Sequence, residues 1–235
     1  MKYKDSQELF QFLRDDLSTE RINAYRLHAN DGDIDLLGRY FWNVALGESL
    51  YPVLNTLEIA LRNEMDRIMR RTFHNRWLDL PDRTLLEPVE VATIEEAKQK
   101  LLASGRPAIG GKLIAELSFG FWTSLFNVRY ETKVWRPIFA DHTSDRAFRL
   151  LPRRFRTRKT LSSRLTEIRR LRNRIFHHEP IWRQSDLPVQ HQKICEVIYW
   201  ISPALYETVH LFDRFPAVHS HTPNHYREMI STLFQ

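Results

Sequence analysis

Apolar side chains recur at three- and four-residue intervals along most of this chain, and no stretch joins two-residue alternation to hairpin turns. The pattern predicts an all-α fold. Its clearest run is Leu161, Leu165, Ile168, Leu171, Ile175 and Phe176, a helix that Pro180 should end by pushing Glu179 out of the α region. Ser6 to Asp16 reads as a short amphipathic helix carrying Leu9, Phe10, Phe12 and Leu13, and Ser18 is placed to cap a second helix reaching about Ala29. From Asp35 to about Phe73 the pattern is helical, punctuated by Gly47 and Pro52. Helix 53–72 turns Leu54, Leu57, Ala60, Leu61, Met65, Ile68 and Met69 toward a core. Further helices are expected from Val89 to about Ala103, from Leu113 to Trp122 with Gly120 splitting it or allowing close backbone approach, and from Val189 to about Phe212, bent at Pro203. Leu80 to Pro88, Ser104 to Pro107 and Gly110-Gly111 read as breaks, and Arg136 to Pro152 as short helical pieces and loops.

The 235 residues, 43% hydrophobic with six Trp and fourteen Phe, supply enough apolar surface for a core, and no composition shift divides them. A single domain over 1–235 is the expectation. One cysteine, Cys195, excludes an internal disulfide and fits a cytoplasmic location; it falls in an apolar run, as a packed thiol does. Met1 to Arg14 has no apolar signal-like core, and Val197 to Phe212 is interrupted by Pro203 and Glu207, so no membrane association is expected. The net charge of +6 is unevenly placed. Between Arg149 and Arg174 stand eleven Lys or Arg residues and one acid, Glu167, while the remainder of the chain is net acidic. A solvated loop can carry such a run, but a nucleic acid accounts for its density better, with Arg153, Arg154, Arg156, Arg158, Lys159 and Arg169 as its candidate contacts.

No phosphate-cradling glycine loop, His-Glu-x-x-His or Cys-x-x-Cys occurs, so neither a nucleotide nor a metal cofactor is expected. Asp31-Gly32-Asp33-Ile34-Asp35 begins like a calcium loop, but Leu36 replaces the required glycine and Trp42 the bidentate acid; a turn before a helix N-cap explains it. His219, His221 and His225 lack acidic or thiol partners at ligand spacing and read as a polar terminal segment. The basic helix ends in stronger chemistry. His177 should lie in its last turn, near exposed carbonyls and the negative end of the helix dipole, which favours an imidazolium. Asn173 lies one turn earlier on the same face, and Arg172, about 140° round, can bend its long side chain to that end. An imidazole, a fixed cation and an amide make a site for a phosphodiester. His178 points about 100° away, and Glu179 can orient an imidazole or cap the turn. On helix 53–72, Asn55, Glu58, Arg62 and Asp66 form a polar stripe, whose bland reading is an ion pair between Glu58 and Arg62.

Arg172-Asn173 followed after three residues by His177 resembles the Arg-Asn-x-x-x-His signature of the HEPN superfamily of α-helical ribonucleases. The string Leu171 to Pro180 resembles the Abi-like (AbiD/AbiF type) bacterial abortive-infection proteins, and so do Asn55 to Asn63 and Ile114 to Trp122. The resemblance spans roughly residues 20 to 215. It implies a HEPN-like core over roughly 35–215, with N-terminal helices at 5–30 and a tail at 216–235. It implies a metal-independent endoribonuclease using the substrate's own 2′-hydroxyl. His177 would move the proton, Arg172 would neutralise phosphoryl charge, and Asn173 would hold His177 or the phosphate. Asn55, Glu58 or Arg62 would orient Arg172 from an earlier helix. Family members commonly pair two subunits, which would bring two His177 side chains to one cleft. The implied role is phage defence or toxicity, with an antitoxin or a noncoding RNA as candidate regulators. The rival readings are a non-catalytic RNA-binding or sensing module of the same fold, and an interaction protein whose helix is basic by accident.

Overall fold

Asp5 opens the first helix by accepting the N–H groups of Gln7 and Glu8, each at 2.9 Å, and Ser18 closes the gap to the next by accepting from Arg21 at 3.3 Å. The computed structural model describes residues 3–79, 81, 82, 84–140, 148 and 150–234; it is 73% helical, with no strand among the described residues. The helices are α1 (Ser6–Leu17), α2 (Thr19–Asn23), α3 (Asp33–Thr72), α4 (Pro88–Ala103), α5 (Gly110–Glu116), α6 (Phe119–Ser124) and α7 (Arg136–Ala140). There follow α8 (Arg158–Phe176), α9 (Leu187–Ile201), α10 (Pro203–His210), α11 (Phe215–Ser220) and α12 (Pro223–Ser231). No helix among the described residues is long and apolar enough to cross a membrane. By internal packing the chain forms two compact units, each built from separate segments: Met1–Val53, Leu171–His191 and Leu211–Gln235 make the first, Leu54–Arg170 and Gln192–His210 the second.

The first unit has its core where α1 and α2 meet the start of α3. Leu9, Phe10, Ile22, Leu36 and Leu37 are buried together, with Leu13, Leu17, Tyr40, Ile230 and Phe234 packed on them. Ile230 and Phe234 belong to the C-terminal segment, so what the sequence reads as a polar tail is helical and packs on this core. Gly38 explains its close docking: a Cβ there would stand 3.0 Å from the Pro223 carbonyl oxygen and 2.5 Å from Arg227 Cγ. Arg227 also pairs with Asp35 at 3.1 Å. The acids at 31–35 serve the turn. Asp31 accepts Leu27 and His28 N–H at 2.7 and 2.8 Å and pairs with Arg39, whose hydrogen bonds hold its carboxyl far below the usual range. By taking those two N–H groups, Asp31 bends the chain after Asn23, so α2 stops well short of Ala29.

The second unit is rich in buried aromatic residues. Phe126 and Trp135 lie 4.5 Å apart, and Trp77 packs edge-on to Trp122 at 6.1 Å. Phe119, Phe121, Trp122 and Phe126 are all core residues. Glu90 is buried but fully served: the Tyr130 hydroxyl donates at 2.6 Å, Ser124 at 2.8 Å and Arg129 at 2.5 Å. Cys195 is buried in α9.

Three boundaries differ from the sequence reading. Pro52 lies inside α3, a helix of 40 residues, where packing on both sides of the proline outweighs one missing N–H donor. The break between α5 and α6 falls at Leu117-Ser118, because Ser118 is extended and its hydroxyl caps α6 through Phe121 N–H; Gly120 is simply helical. Ser202 separates α9 from α10, with Pro203 at the first position of the second helix, where its missing N–H costs nothing.

Candidate functional site

The end of α8 is set by its last carbonyls. His178 N–H donates to the Ile175 carbonyl at 3.0 Å and Glu179 N–H to the Arg174 carbonyl at 2.8 Å, a Schellman closure with His178 in the left-handed region at φ 57°. The helix thus stops at Phe176, before Pro180 acts. A histidine at the position that favours glycine costs about 1 kcal/mol of backbone strain. The surrounding unit overrides that cost. Arg174 donates to the Pro180 carbonyl at 3.0 Å and pairs with Glu179 at 3.4 Å, and Arg21 donates to the His178 carbonyl at 3.2 Å. Buried Asn43, from α3, accepts Ile181 N–H at 2.7 Å and Trp182 N–H at 3.2 Å. Trp182 stacks on Tyr25 at 6.2 Å between ring centres, and the Arg183 guanidinium lies 4.8 Å from the Trp182 ring centre.

On this fixed scaffold the three signature residues differ in exposure. Asn173 and His177 are exposed, one turn apart, and the His177 N–H donates to the Asn173 carbonyl at 2.9 Å. Arg172 is half-buried, its guanidinium carbon 4.2 Å from the Phe176 ring centre. That stack holds the guanidinium against the ring at the end of the helix. Phe176 is itself 42% exposed.

A cleft of about 770 Å³ opens beside the same helix end, wholly within the first unit. His178 and Glu179 line it, whereas Arg172, Asn173 and His177 do not. The two adjacent histidines therefore serve different surfaces. Aromatic and aliphatic groups, among them Tyr25, Tyr40, Val44, Tyr51, Ile175 and Phe176, form much of the wall. Its acids, Asp16, Glu48 and Glu179, outnumber its arginines, Arg21 and Arg214, and Arg214 is held by Glu48 at 2.6 Å. A wall of that charge does not attract a phosphate backbone.

The basic run divides by burial. Arg153, Arg154, Lys159 and Arg170 are exposed, with Arg154 lying over the Phe155 ring at 4.7 Å. Arg156 is half-buried and donates to the Leu151 carbonyl, and Arg169 is half-buried with Thr123 at 3.5 Å. Arg164 pairs with Glu196 at 2.7 Å. Arg158 cannot serve as an RNA contact: it is buried, paired with Glu131 and bonded to the Phe126 carbonyl at 2.6 Å. Arg149 lies outside the described residues. In the α3 stripe Asn55 is exposed and Glu58 and Arg62 are half-buried. Asp66 is structural, accepting from Arg70 at 2.7 Å and from the buried Trp77 indole at 3.0 Å.

Sequence reasoning missed Asn43, Arg21 and Arg214. Asn43 alone left a signal, as an amide on the apolar stripe that joins Leu36, Tyr40, Leu46 and Leu50. Comparison with protein-family models, curated proteins and solved structures finds no match to this chain.

Proposed function

We propose that this chain is a metal-independent endoribonuclease of the HEPN type, with Arg172, Asn173 and His177 as its reacting face. The observation that carries the reading is the exposure of Asn173 and His177 one turn apart at the end of a basic helix, beside an Arg172 held against Phe176. The RNA supplies the nucleophile. The 2′-oxygen bonds to phosphorus as the bond from phosphorus to the 5′-oxygen breaks, leaving a 2′,3′-cyclic phosphate and a 5′-hydroxyl. His177 takes the 2′-hydroxyl proton or delivers one to the leaving oxygen. Arg172 stabilises the charge on the non-bridging oxygens, and Asn173 orients the imidazole or the phosphate.

One imidazole performs one of the two proton transfers at a time, and a two-fold dimer duplicates it within one cleft. Exposed Phe176 and half-buried Ile175 offer that dimer an apolar contact, while Trp182 is already engaged by Tyr25. Exposed Arg153, Arg154, Lys159 and Arg170 carry the RNA backbone. The same resemblance supports a role in abortive infection or as a toxin, acting in the cytoplasm and restrained by an antitoxin or a noncoding RNA.

The test is purified protein on total RNA in EDTA. Cleavage that persists and leaves cyclic phosphate ends supports the mechanism. Activity that vanishes in EDTA and returns with Mg²⁺, or cleavage of DNA, overturns it.

A further inference from the structure

The cleft beside His178 holds hydrogen-bonding groups that the fold does not use. Tyr25 is 2% exposed, yet its hydroxyl makes no hydrogen bond among the described residues. Burial and the neighbouring Tyr40 push that phenol up to about 12, so it stays a donor at neutral pH. The Asp16 carboxylate also lines the cleft and has neither an ion pair nor a hydrogen bond among the described residues. Gly47 lies on the same wall, in mid-helix, and needs no positive φ. A Cβ there would meet only Ile175 Cγ2, at an ordinary 3.5 Å. Neither backbone nor packing requires that glycine, which costs the helix about 1 kcal/mol against alanine; it keeps the cleft open.

A cleft of this size, walled in part by aromatic rings and holding a few unspent polar groups, is the form of a small-ligand or base pocket. The unspent groups select among bases. An exposed carboxylate and a buried phenol on the wall of one cleft offer two acceptor oxygens and one donor. Guanine's pairing edge is the complement, with two adjacent N–H donors and a carbonyl, whereas adenine, cytosine and uracil each present fewer adjacent donors. Exposed Tyr51 gives such a base a ring to stack on.

We propose that the cleft binds an unpaired guanine base, with Asp16 accepting its two N–H groups and Tyr25 donating to its carbonyl oxygen. As a specificity site, this rests on the ribonuclease reading: a guanine of the single strand enters the cleft while a nearby phosphate meets the Asn173–His177 face.

Binding of guanosine 5′-monophosphate to the full chain, followed by calorimetry, tests the cleft without requiring cleavage. Adenosine, cytidine and uridine monophosphates serve as comparisons, and short single-stranded RNAs with and without one G as the second arm. The expected result is at least about tenfold tighter binding of the guanine nucleotide, lost in Asp16→Asn and reduced in Tyr25→Phe. Gly47→Leu should block it. Circular dichroism and melting confirm that each variant is folded, and the two conservative changes keep the test valid if Gly47→Leu does not fold. Equal affinity for all four nucleotides, or a guanine preference untouched by both Asp16→Asn and Tyr25→Phe, overturns the proposal. RNA cleavage without guanine preference would overturn the cleft assignment alone. Guanine binding without any RNA cleavage would uphold the cleft and remove the ribonuclease reading.

Discussion

His178 and Asp31 show how single residues set this end of the molecule. His178 closes α8 from a left-handed conformation, so His178→Gly should raise thermal stability by about 1 kcal/mol, read as a shift in the unfolding midpoint. An unchanged or lower midpoint would mean that the imidazole itself contributes packing. Asp31 makes the fold sensitive to acid. Arg39 keeps its carboxylate charged in the folded protein, whereas the unfolded chain takes up a proton near the ordinary aspartate value. Its contribution is complete at neutral pH and declines as pH falls below about 4. Asp31→Asn should therefore destabilise the protein at pH 7 and flatten the acid limb of a stability–pH curve; parallel acid limbs would exclude that role. Neither feature was legible beforehand. The acidic turn was, but not its arginine partner, and nothing in the string His177-His178 says which histidine takes the left-handed place or which one faces a cleft.

At the scale of elements, the three-and-four periodicity located helix cores as far as α10, because burial of one face depends on little else, but α11 and α12 were read as a polar tail. It also held more than was drawn from it. Arg158 stands three residues before Leu161 and seven before Leu165, on the apolar stripe of α8, and it is buried there with Glu131. Arg153 and Arg154 precede that helix in a short turn and face solvent. Replacing these two by Gln should flatten the log–log salt dependence of RNA binding by roughly 1.4, at about 0.7 per phosphate contact on a single strand. Arg158→Gln should instead lower stability, since it leaves a carboxylate and a buried carbonyl without their donor. An RNA-binding loss in Arg158→Gln at unchanged stability would reverse this division. Helix ends were less legible than helix cores. They depend on side chains such as Asp31, Ser118 and Asn43 finding one backbone group each, a choice made by tertiary structure.

For the whole molecule, the all-α class was legible in full, whereas the grouping of segments was not. The N-terminal helices, the loop after α8 and the C-terminal helices build one compact unit, through contacts such as Trp42 donating to the Val218 carbonyl at 3.2 Å. Such distant pairings leave no local pattern in sequence. The proposed dimer is tested at this scale by mixing wild-type with His177→Ala subunits. A shared site predicts activity falling faster than the wild-type fraction; a linear fall with a monomeric active species would restrict the site to one chain.

In the proposed reaction the exposed Asn173–His177 face, and not the cleft-lining His178, performs the proton transfer. That assignment is tested most directly by measuring RNA cleavage by folded His177→Ala and His178→Ala proteins side by side. A loss of at least about a hundredfold in His177→Ala, with His178→Ala retaining most activity, is the predicted result. Retained cleavage in His177→Ala with loss in His178→Ala would contradict it and move the chemistry into the cleft.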